Sequence, residues 1–452
     1  MTPDRRIPAR FPWLPRAAAA PALLALVAAA GLALAQGVYE GSTTFKASEI
    51  LPATLLKGPH FQVKESVPTS GYFHDFEITS DYGAISAEGR SLLLMRVHEI
   101  GALAQLDEIS KSEVFLKAAG NSVLNVGKGV ASVVADPAGT AKGIGGGLKR
   151  FGTNLGRKAS RGAEDASDAV KGDDKTKDAS QPEKSTGDKA ASAGEGAANS
   201  VLGVNGAYRR WAQKLRVDPY TSNPVLKKAL TDIAKIDAAG GIAAKVVVPV
   251  PMVVGTTASV GGLVWGKDPE ELLKLNEAGV KALGTPEKAA HDFFRNKAFT
   301  LGYQTRFISA LSAVKAKGCG SYVDTAEEAR NERQVVFFTE SAELLQRFHA
   351  KTPVVEILPD SRAVVAKTQD GRAVILLAVD FIRWSEPFEK SLKEILERSK
   401  KELGASRFEL QMTGFASPGA RTQLKALGVA LVEKVPGTFP DPQPAAAAAK
   451  KS

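Results

Sequence analysis

The stretch AVILLAVDFI, residues 373–382, decides the fold of the C-terminal part of this chain. It follows Asp370-Gly371, and an Asp-Gly pair between two extended segments is typical of a β-hairpin. The pattern next predicts a helix from Ser385 to Gly404 and a strand over 408–412. Strand and helix therefore alternate, which predicts a small parallel sheet with right-handed crossovers.

The same pattern continues on both sides of this stretch. An earlier strand is predicted over 354–358, and Ser417-Pro418 begins a further helix. Residues 429–435 are predicted to form the last strand. These segments define a predicted α/β domain over 351–437, and the Pro/Ala-rich tail over 438–452 is predicted to be disordered.

The segment before this domain, 201–350, is predicted to be helical. Three helix starts carry a capping residue followed by proline, namely Asn223-Pro224, Asp268-Pro269 and Thr285-Pro286. A long last helix is predicted from about Thr325 to Phe348.

A predicted disordered linker over 157–200 separates this helical domain from the N-terminal region. Val170 is its only large apolar residue, so the linker cannot bury enough surface to offset the entropy of ordering. Basic and acidic residues are mixed within it, which is not the pattern of a polycationic arm. We therefore expect no specific nucleic-acid binding.

The N-terminal region, 36–156, is predicted to begin with a β-hairpin, because apolar and polar residues alternate from Tyr72 and Ser80-Asp81-Tyr82-Gly83 supplies a turn. Helices are predicted to follow. The predicted fold class is thus α+β and multi-domain: an N-terminal hairpin plus helices, a mostly helical middle, and a small C-terminal α/β domain with a parallel sheet.

Residues 1–35 have the pattern of a secretory signal peptide. Four arginines precede an apolar run over 17–34, and Ala33-Leu34-Ala35 is a small-x-small cleavage site. The mature protein is predicted to start at Gln36, in the periplasm or cell envelope of a bacterium. The full chain has a formal charge of +10, and removal of the leader leaves about +7. This balance favours an anionic partner without choosing among lipid, cell-wall polymer and nucleic acid.

Two segments predict contact with a membrane. One is a helical seam of valines, and the other is a ladder of glycines at four-residue spacing with basic residues beside it. The candidate membrane-facing residues are Val123, Val126, Val130, Val133, Gly139, Gly143, Gly147, Lys149 and Arg150. An uncharged run over 246–266 adds to this signal. Periodicity alone leaves the alternative open that these helices bury one another in one soluble core.

The sequence offers few groups for chemistry. Asp380 lies near the carboxyl end of a predicted central strand, where open α/β sheets bind ligands. Thr413 and Gly414 lie at the corresponding end of the next strand, and Glu356 could approach Asp380 only if the strands align. These four residues form the candidate ligand site.

Metal and cofactor signatures are absent from the sequence, and we predict neither. The five histidines have no i, i+4 pair, and Cys319 is the only cysteine. No phosphate-loop, dinucleotide-binding or nucleophile-elbow motif is complete.

Four stretches resemble an uncharacterised family of exported bacterial proteins. The stretches are HEIGALAQL over 98–106, ISKSEVF over 109–115, VDPY over 217–220 and KDPEEL over 267–272. The resemblance implies export and a shared architecture, and no activity. Residues 412–432 are similar to the end of restriction-endonuclease-like domains, which hold a metal with an acidic residue and a Glu/Gln-x-Lys motif. Glu409-Leu410-Gln411 lacks that lysine.

The sequence favours a non-enzymatic exported protein that associates with an anionic membrane surface through its amphipathic and Gly-rich helices. A homo-oligomer is compatible with these patterns. The alternative is a soluble periplasmic enzyme, a hydrolase or nuclease-like protein that uses the C-terminal α/β domain around Asp380.

Overall fold

The computed structural model describes residues 39–117, 203–240 and 258–438. Over these ranges the chain is a mixed α/β protein with several sheets. Buried apolar residues from the N-terminal sheet, the helices and the C-terminal sheet form one contiguous cluster, including Phe76, Leu103, Phe307, Leu345 and Ile375.

The N-terminal part is an antiparallel sheet with two short helices. The strands are β1 (Thr44–Lys46), β2 (Lys57–Gly58), β3 (Phe61–Val63), β4 (Ser66–Ser70), β5 (Phe73–Ser80) and β6 (Gly83–Glu88), and the short helices are α1 (Ala47–Ile50) and α2 (Ala53–Leu56). Their order is β1-β4-β5-β3-β2, and β6 pairs with β5. The predicted hairpin is β5–β6, with Ile78 opposite Ile85. The long helix α3 (Arg90–Lys111) follows it.

The middle part is helical. Its helices are α4 (Val204–Leu215), α5 (Pro224–Gly240), α6 (Ala258–Gly266), α7 (Pro269–Ala282), α8 (Glu287–Arg295), α9 (Leu301–Val314), α10 (Cys319–Ala326) and α11 (Glu332–His349). Asn223 caps α5 by accepting from the Val225 N–H at 3.0 Å, and Asp268 caps α7 by accepting from the Glu271 N–H at 2.9 Å.

Two sequence expectations for these helices were wrong. Thr285 does not cap α8, because the helix begins one residue later than expected and Pro286 takes the cap position. The single long helix predicted from Thr325 is two helices, α10 and α11. The break is stabilised by Asn331, whose side chain accepts from the Gln334 N–H at 3.0 Å and so starts α11 anew.

The C-terminal part is a five-stranded sheet with helices and a small accessory sheet. Its elements are β7 (Val354–Ile357), β8 (Val364–Thr368), β9 (Arg372–Leu377), β10 (Phe381–Ile382), α12 (Glu386–Leu403), β11 (Arg407–Met412), β12 (Phe415–Ala416), α13 (Pro418–Ala426) and β13 (Val429–Val432).

The sheet order is β13-β11-β9-β8-β7. Strands β9, β11 and β13 are parallel, whereas β7, β8 and β9 are antiparallel, so the sheet is mixed rather than parallel throughout. The hairpin at Gly371, which has a φ of 81°, reverses the chain between β8 and β9. Strands β10 and β12 form a separate parallel pair beyond the sheet.

Candidate functional site

Asp380 lies between β9 and β10, at the carboxyl end of the parallel strands. Its carboxylate accepts the backbone N–H of His74 at 2.9 Å and that of Arg90 at 3.1 Å. Arg90 is the first residue of α3, and the cap residue before it, Gly89, has no side chain to offer. Asp380 therefore supplies the helix cap from a distant part of the chain and joins the N-terminal sheet to the C-terminal one.

Burial governs the ionisation of this junction. It raises the pKa of Asp380 to about 6, although the two N–H donors act in the opposite direction. Burial also lowers the pKa of His74 to about 4. The His74 ring accepts or donates a hydrogen bond with Thr69 at 2.9 Å and lies 5.1 Å from the ring of Phe45. Both groups thus titrate far from their usual ranges.

Thr413 and Gly414 surround the backbone of Asp380. The Thr413 hydroxyl donates to the Val379 carbonyl at 2.9 Å, and a Cβ on residue 414 would lie 1.8 Å from the Asp380 carbonyl oxygen. Glycine is therefore required for this close approach. We call His74, Arg90, Asp380, Thr413 and Gly414 the sheet-end cluster.

Glu356 is not brought into this cluster. It lies on the edge strand β7, three strands from β11, and its carboxylate pairs with Lys317 at 2.6 Å. Three of the four candidate ligand residues therefore lie together and the fourth lies apart.

A small cleft opens beside the sheet-end cluster. It has a volume of about 270 Å³ including space open to solvent, and Gly89, Ser91 and Glu340 line it together with Asp380. Glu340 is 4% exposed; one of its carboxylate oxygens accepts from the Ser91 hydroxyl at 2.6 Å, and the other has no partner among the described residues. Burial raises the pKa of Glu340 to about 7. Residues 39–117, 203–240 and 258–438 contain no group of three or more side chains suited to a metal.

A second polar cluster lies among the helices, and four of its six members are buried. Arg96 on α3 donates to Glu99 at 2.8 Å and also pairs with Glu332 on α11. Ser222 donates to Glu332 at 2.6 Å. Thr221 and Asn223 donate to Glu99 at 2.5 and 2.9 Å. We call these six residues the helical hub.

The hub gives a structural reason for part of the VDPY stretch and the residues after it. Asp218 closes a turn by accepting from the Tyr220 N–H at 2.7 Å, and the next three residues all donate to hub carboxylates. Burial raises the pKa of Asp218 to about 6. This turn fixes the start of α5 against α3 and α11.

Other sequence candidates for chemistry are placed as follows. Cys319 is buried, and burial raises the pKa of its thiol to about 11, so the thiol stays protonated at neutral pH. Glu409 pairs with Arg372 at 2.7 Å and accepts from Gln411 at 2.6 Å. Neither residue offers a free reacting group.

The membrane-facing candidates, from Val123 to Arg150, lie outside the described residues, as does most of the uncharged run over 246–266. Within the described ranges no helix combines the length and the apolar character needed to cross a membrane.

Sequence reasoning missed most of the groups that the fold brings together. His74, Glu340 and the Arg96–Glu99–Glu332 set carry no local motif. The signals that pointed toward the hub were the resemblance over 98–106, which contains Glu99, the VDPY resemblance, which precedes Thr221, and the predicted helix start at Asn223.

Comparison with known proteins gives no match to a family model, to a curated protein or to a solved structure.

Proposed function

We propose that this chain is an exported, non-enzymatic protein of the cell envelope, which binds an anionic membrane surface through its amphipathic and Gly-rich helices. We also propose the finer layout of the fold, in which an N-terminal hairpin region, a helical middle and a small α/β module follow one another along the chain. Export rests on the leader pattern of residues 1–35.

The membrane proposal rests on apolar side chains that are exposed where the chain enters the valine seam. Residues 113–117 are helical, and Phe115 is fully buried in the core. Its neighbours Val114 and Leu116 are 39% and 45% exposed. The described fold thus leaves apolar side chains exposed at the start of the valine seam. Such exposure favours an apolar partner outside the described residues.

The state of Asp380 supports the non-enzymatic part of the proposal. A catalytic carboxylate needs access to its substrate, whereas Asp380 is 9% exposed and is used to bind two backbone N–H groups. The soluble-enzyme alternative would have to rely on Glu340 in the adjoining cleft.

Vesicle flotation tests the membrane proposal. We expect the mature chain from Gln36 to float with vesicles that contain phosphatidylglycerol, and to remain in solution with vesicles of phosphatidylcholine alone. Deletion of 118–156 should abolish flotation, because it removes the seam and the glycine ladder while leaving the described residues intact.

The linker supplies a matched control. Deletion of 161–199 removes the same number of residues, and this segment has six basic and nine acidic residues. It should leave flotation unchanged. Equal loss in both deletions, or no flotation of the intact chain, would count against membrane binding, and an activity abolished by Glu340→Gln would favour the enzyme alternative.

A further inference from the structure

The cleft beside the sheet-end cluster opens at the carboxyl ends of β9 and β11. The first residues of α3 and the middle of α11 form its walls, and Ala378 and Thr413 line it just after the two strands. Open α/β sheets bind ligands outside the carboxyl ends of their parallel strands. The cleft thus lies where a sheet of this kind binds its ligands.

Glu340 is the acid of this cleft whose hydrogen bonding is incomplete. Its side chain comes from α11 and is 4% exposed. The Ser91 hydroxyl donates to Glu340 Oε2 at 2.6 Å, whereas Oε1 accepts no hydrogen bond from any described residue. A buried oxygen without a donor costs free energy. Oε1 is therefore the atom of the cleft that a ligand with a hydrogen-bond donor would satisfy.

The other two carboxylates that line the cleft are already bound. Asp380 accepts two backbone N–H groups, and Glu88 pairs with Arg333 at 2.8 Å. The lining carries these three acids against two arginines, Arg90 and Arg333. With its acids ionised the lining is thus negative by one charge, which favours a cation.

The cations whose charges act on Glu340 from the helices bind other residues. Arg306 makes two hydrogen bonds to Glu343, at 2.9 and 3.0 Å, and Arg347 donates to Thr438 at 3.3 Å. In the part of the chain that the structure describes, Glu340 therefore has no ion-pair partner. A cationic donor from outside would supply one.

The lining suits a primary ammonium group better than a divalent metal ion. A calcium or magnesium ion takes about six oxygen ligands or more, and no three metal-ligating side chains come together among the described residues. An ammonium group instead needs hydrogen-bond acceptors, which Glu340 Oε1 provides. The rings of Phe73 and Phe337, with centroids 6.3 Å apart, line the same cleft and offer an apolar surface to a short alkyl chain.

We propose that this cleft binds a small primary amine, and that Glu340 accepts a hydrogen bond from its ammonium group. The Ser91 hydroxyl orients the carboxylate, and Phe73 and Phe337 contact the alkyl part. This inference goes beyond membrane binding and does not depend on it.

A titration of the mature wild-type chain tests the site. Ethylammonium chloride should produce saturable shifts of the Ser91 and Glu340 amide signals in nuclear magnetic resonance spectra. Tetramethylammonium chloride carries the same charge and has no N–H group, so it should produce no saturable shift at these positions. Absence of saturation with ethylammonium, or equal shifts with both salts, would overturn the proposal.

Two matched variants make the result specific. Glu340→Gln keeps the side-chain length and removes the charge, so it should weaken ethylammonium binding by at least about tenfold. Glu397→Gln on α12 removes a carboxylate that is 73% exposed and should bind as the wild type does. Undiminished binding by Glu340→Gln would overturn the proposal. The wild-type titration decides the matter by itself if Glu340→Gln does not fold.

Vesicles distinguish the two sources of such an amine. Flotation that requires phosphatidylethanolamine and is lost in Glu340→Gln would identify a lipid headgroup as the ligand. A response to ethylammonium without such flotation would identify a solute.

Discussion

The helical hub and the sheet-end cluster both bury carboxylates, and they stabilise them differently. In the hub, Glu99 has the guanidinium of Arg96 and two side-chain donors. In the sheet-end cluster, Asp380 is bound by two backbone N–H groups and lies against a buried histidine. The hub thus pairs its carboxylate with a guanidinium, whereas desolvation moves the pKa values of Asp380 and His74 away from their ordinary values. The hub is therefore an ion-paired element and the sheet-end cluster a desolvated one.

The largest expected effect is in the hub. Glu99→Ala leaves the Arg96 guanidinium without its i+3 partner and two donors without their acceptor, so the free energy of unfolding should fall by about 3–5 kcal/mol. Urea unfolding followed by circular dichroism measures it. Glu108→Ala on the same helix removes a carboxylate that is 76% exposed and should change the value by less than about 0.5 kcal/mol. A loss below 1 kcal/mol for Glu99→Ala would remove the contrast between the two regions.

The sheet-end cluster should respond less strongly. Asp380→Ala leaves the N–H groups of His74 and Arg90 buried without an acceptor, which should cost about 1–3 kcal/mol. Asp380→Asn keeps one carbonyl oxygen and should cost less. The same urea series provides the measurement. If both substitutions lowered the free energy of unfolding equally, the packing of residue 380, rather than its hydrogen bonds, would stabilise the junction.

A pH series sharpens the comparison. Burial lowers the pKa of His74 from 6.5 to about 4, so the unfolded chain takes up this proton more readily and the stability contribution falls as the pH falls through that window. Burial raises the pKa of Asp380 from 3.8 to about 6, so its contribution is present below about pH 4 and is lost as the pH rises to about 6.

Between about pH 4 and 6, the contributions of His74 and Asp380 to the stability of the wild type change in opposite directions with pH. Relative to the wild type, Asp380→Asn should lose stability as the pH is lowered from 6 to 4, and His74→Gln should gain it. Unfolding free energies at half-unit pH steps measure both differences. This account would be contradicted if the difference in unfolding free energy from the wild type changed in the same direction with pH for both sheet-end variants.

The smallest expected effect lies beside the hub. Arg216 ends α4 with a φ of 54°, in the left-handed region that favours glycine. Arg216→Gly should relieve about 1–2 kcal/mol of backbone strain and lose about 0.5–1 kcal/mol to the entropy of the unfolded chain. The free energy of unfolding measured in urea should therefore rise by about 0.5–1 kcal/mol. A fall would show that the Arg216 side chain stabilises the fold by more than its left-handed backbone costs.

Local signals predicted a substantial part of the fold. Asn223 and Asp268 start helices as their side chains indicate, Gly404 ends one with a φ of 63°, and Asp370-Gly371 turns a hairpin. These features depend on a few neighbouring residues, so sequence spacing suffices. The break before α11 was missed, although Asn331 is a good cap, because apolar periodicity continues on both sides of it.

The candidate site was predicted less well, because its bonds join distant parts of the chain. The position of Asp380 at a strand end followed from the alternation of strands and helices. Its partners did not, since His74 and Arg90 lie 306 and 290 residues away. The strand order was not predicted either, because no local pattern indicates that β7 lies at the far edge of the sheet. The separation of Glu356 from the cluster was missed for the same reason.

The hydrogen bonds that Asp380 accepts have a consequence for biosynthesis. His74 and Arg90 are among the first described residues to be made, yet Asp380 is made 306 and 290 residues later. At about 5–20 residues per second, translation leaves these two N–H groups without their acceptor for roughly 15–60 s. Every nascent chain thus passes through a period in which the start of α3 has no cap from Asp380, and a polypeptide stopped before Asp380 never completes that junction.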